Sequence, residues 1–359
     1  MEGESAELRS RVEAHLTERA GVVVRVQSVE PLAGGACQDN YKVAMTFESG
    51  PLAGARSMVL RSDSRTSLAG SLDRKDEYAV IGAAVERGVK TPAARFLGVG
   101  IVRAGAHAYF LDWVDGEAIG RRVVSSPKLE GARKLLGPEL ARELARIHGI
   151  KPAVHPDLLN ASQARAPGFD PVGEALRFTR TILDRAEVSA PLELILRWLA
   201  ENTPPREAGT RRETTLVHGD FRTGNFLVTP LGLAALLDWE FAHWGSPCYD
   251  LAWIALRDWR FGQLKLPIGG FAHRLELYEA YERESGRTLS LQELHWWEVL
   301  GNLRWAAGSL SQARRYTVGG ESDIELAAIG RRAAEMEYEA LRLIDRGVRA
   351  LGAGEGGGR

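Results

Sequence analysis

Extended and helical patterns occupy different parts of this chain, and their order most constrains its fold. Between residues 20 and 114, five short apolar segments have the composition of strands, and a helical stretch ending at Gly88 stands between the third and fourth. They read VVVRVQSVEPL, NYKVAMTF, SMVLRS, ARFLGVG and HAYFLDWV. The first three are expected to form an antiparallel meander. The pattern predicts a five-stranded antiparallel sheet with one helix, preceded by a lead-in helix in the first 20 residues.

Helical periodicity dominates after residue 115. Long amphipathic stretches such as LEGARKLLGPELARELARIHGI predict a larger, mostly helical region. The segment LDWVDGE is expected to connect the two regions as a hinge. The predicted fold class is therefore α+β with two lobes: an N-terminal nucleotide-binding lobe over residues 1–114 and a C-terminal catalytic and substrate lobe over 115–350. The glycine-rich residues 351–359 are expected to be a flexible tail.

The composition argues against several classes of partner. With 46 basic and 47 acidic side chains the formal net charge is -1, which gives no electrostatic footprint for nucleic acid or a membrane surface. Cys37 and Cys248 offer neither a metal-binding spacing nor a disulfide framework. The acidic N-terminus is unlike a signal peptide, and no apolar run approaches the roughly 20 residues that span a bilayer. We expect a cytoplasmic protein, as a monomer or homodimer.

The motif HGDFRTGN, residues 218–225, stands between the strand-like runs TTLV and FLV. Phosphoryl transfer needs a carboxylate for the attacking hydroxyl and oxygen ligands for magnesium, and protein kinases place an Asp and an Asn five positions apart in one loop. Asp220 and Asn225 have that offset, and Asp238 follows in LLDWE. The pattern favours a kinase, although Asp and Asn also form Asx turns that cap loops.

Two neighbouring residues have alternative roles. His218 is interpreted as a structural brace of the loop rather than a reacting group. Arg222 is a candidate catalytic residue that contacts the transferred phosphate, or else it meets a surface carboxylate.

The stretches LVHGDFRTGNFLV and LLDWEFAHWGSPCYDLAW resemble the aminoglycoside phosphotransferase and choline kinase family, which has a protein-kinase-like fold. Together with GNLRWAAGS, they are most similar to the branch related to acyl-CoA dehydrogenase-associated kinases. The resemblance implies an ATP- and Mg²⁺-dependent kinase. It implies that Asp220 is the catalytic base and that Asn225 and Asp238 are magnesium ligands. It also implies that Asp250 anchors the catalytic loop, with the N-cap of a following helix as the alternative.

The nucleotide side is predicted from the first region. The segment PLAGGACQDNYKV, with Gly34 and Gly35, lies where a phosphate-covering loop belongs, although a hairpin turn would also explain it. Arg61 stands where protein kinases use a lysine on the third strand, and arginine keeps the charge and grips phosphate. Its expected partner is Glu77, which could otherwise be a solvated helix residue.

The adenine is expected to stack near the hinge. Backbone groups of residues 112–115, including Asp112 and Val114, are expected to pair with its edge.

The acceptor is expected to be a small hydroxylated molecule bound by the C-terminal helices. Seven of nine tryptophans fall between residues 239 and 305; most are expected to be core, and one or two could line an apolar pocket. No excess of acidic residues marks a polycation site, so a hydroxyacyl-CoA or hydroxy acid is favoured over an aminoglycoside or other natural product. Arg304 could meet an anionic acceptor. A non-catalytic nucleotide-binding regulatory module and a metal-dependent hydrolase using His218, Asp220 and His243 are the alternatives of other classes.

Overall fold

A computed structural model describes residues 2–32, 39–63, 68–185, 189–206, 210–321 and 323–352. The chain forms two compact units. The first combines Met1–Asp115 with Ala235–Ala242, and the second combines Gly116–Ala234 with His243–Arg359. Residues 235–242 are predicted from the sequence to belong to the C-terminal lobe, whereas in the structure they pack with the first unit. Of the predicted flexible tail, residues 353–359 lie outside the described residues.

The first unit is built on one five-stranded sheet, and this prediction is confirmed. The strand order is β1-β2-β3-β5-β4, and each neighbouring pair is antiparallel. The strands are β1 (Val24–Pro31), β2 (Asp39–Phe47), β3 (Gly54–Ser62), β4 (Ala94–Val99) and β5 (His107–Asp112). The expected meander corresponds to β1, β2 and β3. Helix α2 (Arg74–Glu86) connects β3 to β4. Asp73 is its N-cap, and the Asp73 side chain accepts the Asp76 amide hydrogen at 2.7 Å.

The N-terminal helix α1 (Glu2–Ala20) is fixed to the sheet by one close approach. His15 Nε2 donates to the carbonyl of Phe96 at 2.8 Å, where β4 has a register irregularity and Phe96 adopts a left-handed φ of 53°. A Cβ atom on Gly98 would lie 2.3 Å from the His15 ring. Glycine is therefore required at position 98 for α1 to pack at this distance. Val12 and Leu16 of the same helix complete the buried core of the sheet.

The segment 235–242 joins the first unit beyond helix α2. The Leu236 amide donates to the carbonyl of Lys90 at 2.7 Å, and Thr91 Oγ1 donates to the carbonyl of Leu236 at 3.1 Å. Trp239 is buried, and its Nε1 donates to Thr91 Oγ1 at 3.0 Å. These bonds fix the backbone on either side of Asp238 against the residues that follow α2.

The second unit is mainly helical. Its helices are α3 (Gly120–Ser125), α4 (Glu130–Ile147), α5 (Ala161–Arg165), α6 (Pro171–Leu183), α7 (Ala190–Glu201), α8 (Cys248–Trp253), α9 (Arg274–Ser285), α10 (Leu291–Thr317), α11 (Ile324–Gly330), α12 (Arg332–Arg346) and α13 (Arg349–Gly352), with short 3₁₀ turns at Pro127–Leu129 and Arg257–Arg260. The long helix α10 contacts α6, α7, α8, α11 and α12. It therefore forms the centre of this unit.

Four short strands carry the polar loops of the motif region. They are β6 (Thr215–Val217), β7 (Phe226–Thr229), β8 (Gly232–Leu236) and β9 (His243–Gly245). β6 pairs antiparallel with β9, and β7 pairs with β8. Strand β9 is not predicted from the sequence, because three residues in a loop-like stretch give no strand periodicity.

Candidate active site

The HGDFRTGN loop connects β6 to β7 and is held by one buried carboxylate. Asp250 on α8 accepts the amide hydrogen of His218 through Oδ2 at 2.7 Å and that of Gly219 through Oδ1 at 3.0 Å. Asp250 is fully buried. The helix begins at Cys248 with Pro247 at the N-cap position, so the alternative role of Asp250 as an N-cap is wrong. The contacts are those of an anchor for the loop backbone.

The histidine that caps the C-terminus of α4 extends this anchor. His148 is fully buried; its Nε2 lies 3.2 Å from Asp250 Oδ2, and its Nδ1 lies 2.8 Å from the hydroxyl of Tyr281. Burial lowers the pKa of His148 below its ordinary value. Burial acts to raise the pKa of Asp250, but the hydrogen bonds from His148 and from the His218 backbone amide outweigh it and hold that pKa low. The ionised carboxylate is therefore the stable form beneath the loop.

Asp220 lies in the loop with its carboxylate fixed by three side chains. Its Oδ1 accepts from Trp253 Nε1 at 2.8 Å, and its Oδ2 accepts from Asn225 Nδ2 at 2.6 Å. Arg222 Nε lies 3.0 Å from both oxygens. Asp220 is 8% exposed, so the carboxylate is nearly enclosed and its orientation is set by donors rather than by water. This is the geometry expected of a preorganised general base.

Asn225 is oriented by the same carboxylate. Its Nδ2 group donates to the side chain and also, at 3.0 Å, to the backbone carbonyl of Asp220. Both amide hydrogens are directed to Asp220, so the side-chain oxygen is the atom left for another ligand. An amide oxygen is a hard donor of the kind that magnesium accepts.

Arg222 contacts Asp220, which is neither of the two partners considered from the sequence. Its guanidinium also lies over the ring of Trp259, with Cζ 4.5 Å from the ring centroid. The side chain is about a quarter exposed, at 26%. Because it is the most accessible of the three groups around the carboxylate, it is the one that can move when another hydrogen-bonding group approaches.

The first unit contains a cluster of charged side chains around Glu77. Arg61, the expected partner of Glu77, donates from Nη2 to Glu77 Oε1 at 3.1 Å. The same nitrogen donates to Asp238 Oδ1 at 2.9 Å. Burial opposes the charge of Arg61, but Glu77 and Asp238 help to raise the pKa of the guanidinium above its ordinary value. Arg61 Nε is buried and has no hydrogen-bond partner among the described residues. The residue type fits the predicted phosphate-binding role, because a guanidinium grips phosphate with two donors.

Arg74 is a second cation of this group that the sequence analysis does not assign. It contacts Glu77 from one turn earlier in α2, and its Nη2 lies 3.3 Å from Glu240 Oε2. Burial and the charge of Asp238 raise the pKa of Glu240 to about 7. The (i, i+3) spacing of Arg74 and Glu77 was the available signal, but the same spacing is common on solvated helix faces.

Asp238 has a constrained backbone. Its φ of 66° is left-handed, a conformation that is uncommon outside glycine and in which Asp is enriched. The turn after β8 directs the Asp238 carboxylate toward Arg61, where Oδ1 accepts the 2.9 Å bond. Carboxylate oxygens are the preferred donors for magnesium, so the residue type fits the predicted role.

Some of the backbone groups predicted to pair with adenine already form hydrogen bonds within the protein. The amide of Asp112 donates to the carbonyl of Ala93 at 3.1 Å, and that of Trp113 donates to the carbonyl of Ser57 at 3.2 Å. The Asp112 side chain forms two 2.8 Å bonds with Arg95. These two amides are thus used within the sheet. The amide of Val114 has no partner among the described residues and remains the donor that fits the prediction.

Two predicted positions cannot be placed. Gly34 and Gly35, with Cys37, lie outside the described residues, so the phosphate-covering loop stays a prediction. Within the described part of the chain no cluster of three or more His, Cys, Asp or Glu side chains has the arrangement of a metal site. The described helices also include none that is long and apolar enough to cross a bilayer.

The fold and the motif geometry agree with a family comparison. The model of the phosphotransferase enzyme family matches residues 28–287, nearly three quarters of the chain. The chain belongs to the phosphotransferase enzyme family. The resemblance noted in the sequence is confirmed, and so is the two-lobed α+β fold class.

Relatives and solved structures extend the comparison. The chain is 26% identical over 312 residues to acyl-CoA dehydrogenase family member 11 of Gallus gallus, covering 80% of this chain but only 38% of the chicken protein. It superposes on a candidate aminoglycoside phosphotransferase from Ralstonia eutropha with a TM-score of 0.70 and 19% identity, covering 94% and 98% of the two chains.

A more distant structure contains a nucleotide. Spectinomycin phosphotransferase APH(9)-Ia, in complex with ADP and spectinomycin, superposes with a TM-score of 0.58 and 11% identity, over 93% of this chain and 98% of that one. At such identities the structural likeness shows a common fold.

Proposed function

We propose that the protein is a magnesium- and ATP-dependent kinase that transfers the γ-phosphate to the hydroxyl of a small molecule. The observation that carries the proposal is the Asp220 carboxylate, enclosed and oriented by Trp253, Asn225 and Arg222. The loop that presents it is held at two successive amides by Asp250. Family membership supports the reaction class, and the hydrogen bonds explain how the base is positioned.

Asp220 orients the acceptor hydroxyl and takes its proton as the oxygen bonds to the γ-phosphorus. The bond between the γ-phosphorus and the bridging oxygen of ADP breaks in the same transfer, and ADP leaves. For the proton transfer, a hydroxyl must reach one carboxylate oxygen, and the Arg222 bond is the one able to yield because Trp253 and Asn225 are more deeply buried. The displaced guanidinium remains near the reacting phosphate, where a bidentate cation stabilises charge. Arg222 is thus proposed as a catalytic residue.

Nucleotide and metal assignments follow the family pattern. Arg61, kept in place by Glu77, is proposed to contact the nucleotide phosphates, with Gly34 and Gly35 in the covering loop and Asp112 and Val114 at the adenine edge. Bound magnesium would neutralise charge on the phosphate oxygens. Asn225 and Asp238 are proposed as its protein ligands, because each has a suitable oxygen donor.

The favoured acceptor is a hydroxy acid or hydroxyacyl-CoA. The relation to acyl-CoA dehydrogenase family members supports this choice, although the chain spans well under half of the chicken relative. Two arginines on the Asp220 side, Arg222 and Arg304, argue against a polycationic aminoglycoside as the first choice. We propose action in the cytoplasm on small molecules, with no nucleic acid or membrane partner and as a monomer or homodimer.

The test is phosphoryl transfer from ATP with Mg²⁺, followed by mass spectrometry of hydroxy acids, hydroxyacyl-CoAs, choline-like alcohols and aminoglycosides. Asp220→Ala is expected to lower turnover by about 10²- to 10⁴-fold, the usual contribution of a general base, while nucleotide binding is retained. Asp184→Ala, which removes a surface carboxylate of the same unit, is the control. Turnover retained in Asp220→Ala would exclude the base assignment.

A further inference from the structure

Arg304 on α10 lies among three aromatic rings. Its Cζ is 4.7 Å from the ring centroid of Phe178, 5.1 Å from that of Tyr249 and 6.0 Å from that of Trp253. We call these three residues the aromatic cage. The Tyr249 and Trp253 rings are stacked with a 12° interplanar angle and a 5.6 Å separation. The rings therefore hold the guanidinium in a defined place.

Arg304 has no acidic partner among the described residues. Its recorded contacts are the three ring faces, and it forms no hydrogen bond or ion pair within that part of the chain. The deeply buried arginines of the same unit differ, because Arg274 and Arg260 lie 2.5 Å and 3.6 Å from Glu298 Oε1. Interior cations are normally paired in this way. A half-buried arginine without a carboxylate has its hydrogen-bond donors available to an external anion.

Two walls of the aromatic cage are bonded to the catalytic loop. The Tyr249 hydroxyl donates to the carbonyl of Gly219 at 3.3 Å, and Trp253 Nε1 donates to Asp220 Oδ1 at 2.8 Å. Arg304 is thus separated from the base by the width of one aromatic side chain. One small molecule is therefore long enough to place a hydroxyl at Asp220 and another group at Arg304.

The cage also determines the charge of the group that it favours. Aromatic cages recognise cationic ligands such as quaternary ammonium groups through their ring faces. Here the protein's own guanidinium occupies those faces, so a ligand cation would have to displace it and would be repelled by it. An anionic oxygen group would instead find a cation positioned by the rings and able to form two parallel hydrogen bonds.

We propose that Arg304 binds an anionic oxygen group, a carboxylate or a phosphate, of the acceptor whose hydroxyl is directed to Asp220. This inference rests on the proposed kinase function and adds a charge requirement for its acceptor. A free hydroxy acid would supply the group as its carboxylate, and a hydroxyacyl-CoA would supply it as a phosphate of the CoA moiety.

The test measures binding of three matched probes: 3-hydroxybutyrate, the neutral 3-hydroxybutyramide and 3-hydroxybutyryl-CoA. Dissociation constants are measured by calorimetry with ADP and Mg²⁺ present, for the wild type, Arg304→Met and Arg304→Lys. Methionine fills the cage without charge, and lysine keeps a single positive charge. Arg314→Met, at an exposed arginine ten residues along α10, is the matched control.

Wild-type protein is expected to bind the acid or the CoA thioester about 10- to 100-fold more tightly than the amide, the range for a hydrogen bond to a charged group. Arg304→Met should lose this preference, Arg304→Lys should keep part of it, and Arg314→Met should keep all of it. Preference for the acid alone identifies a carboxylate, and preference for the thioester alone identifies CoA phosphates.

Equal binding of all three probes to the wild type, or a preference that persists in folded Arg304→Met, would overturn the proposal. The kinase function is judged separately, by phosphoryl transfer that falls by about 10²- to 10⁴-fold in Asp220→Ala. A protein that transfers phosphate to neutral or cationic alcohols would retain the proposed function and lose this inference. If Arg304→Met does not fold, Arg304→Lys supplies the comparison: a preference as large as that of the wild type would overturn the proposal, and a reduced preference would support it.

Discussion

The Asp250 anchor beneath the HGDFRTGN loop gives the most direct test of how the proposed base, Asp220, is positioned. Asp250 accepts two backbone amides with its two oxygens, at 2.7 and 3.0 Å, and contacts His148 as well. In Asp250→Asn the side chain keeps one acceptor oxygen, and its new NH₂ group lies against one of the two backbone N–H donors of the loop. One buried amide of the loop then has no acceptor, which costs about 1–3 kcal/mol of unfolding free energy.

The effect on catalysis should exceed the effect on stability. A displacement of the reacting group by about 1 Å can cost about 100-fold in rate, and Asp220 follows Gly219 directly in the chain. We expect kcat for phosphoryl transfer to fall by about that factor, with the nucleotide dissociation constant unchanged. The assay is single-turnover phosphoryl transfer together with chemical denaturation monitored by tryptophan fluorescence.

A second buried carboxylate provides the control. Glu339 on α12 is fully buried and paired with Arg342 and Arg260, so Glu339→Gln should also destabilise the second unit. It should leave kcat of the folded protein near the wild-type value, because it does not touch the loop. If Asp250→Asn keeps the wild-type kcat, or if Glu339→Gln lowers kcat as much as Asp250→Asn does, the reasoning from loop anchoring is refuted.

Two further predictions concern residues around the anchor. Trp253→Phe removes the Nε1 donor to Asp220 and should lower kcat by about 10-fold with little change in unfolding temperature. Trp296→Phe removes an Nε1 bond far from the loop and should leave kcat unchanged. An equal fall in kcat in both variants would contradict the donor role of Trp253. The pKa of His148 is lower in the folded protein than in the unfolded chain, where it is about 6.5. The stabilising contribution of neutral His148 is therefore complete above the unfolded-state pKa and is lost as the pH falls through the lower folded-state pKa. Denaturant titrations between about pH 7 and 5 should show a shallower pH dependence of unfolding free energy in His148→Asn, and an unchanged slope would contradict this reasoning.

Much of the fold could be predicted from the sequence, because strand and helix periodicities differ clearly in the first 114 residues. The segment HAYFLDWV became β5 (His107–Asp112), and NYKVAMTF became β2 (Asp39–Phe47). In β2 the signal is alternating burial from Val43 to Phe47, and in β5 it is a run of four consecutive buried residues that includes two aromatic side chains. The short β9 gave no such signal, because its pairing with β6 depends on a partner about 30 residues earlier.

The candidate site was predictable only where the motif has a fixed spacing. Asp220, Asn225 and Asp238 could be named from the sequence, whereas the anchoring role of His148 and the donor role of Trp253 depend on contacts across 102 and 33 residues. A buried histidine in a helix and a tryptophan in an aromatic-rich region look like ordinary core residues. Arg222 was named, but its bond to Asp220 depends on loop geometry that spacing does not reveal.

The packing of residues 235–242 with the first unit has a consequence for biosynthesis. Lys90 and Thr91 obtain their partners Leu236 and Trp239 from a segment more than 140 residues later in the chain. While the ribosome is still making the intervening helices, a nascent first unit lacks these contacts and the buried Trp239 ring. An isolated polypeptide ending at residue 115 would lack them permanently. A stable first unit made on its own therefore requires residues 235–242 to be supplied, either by a designed fusion or as a separate peptide.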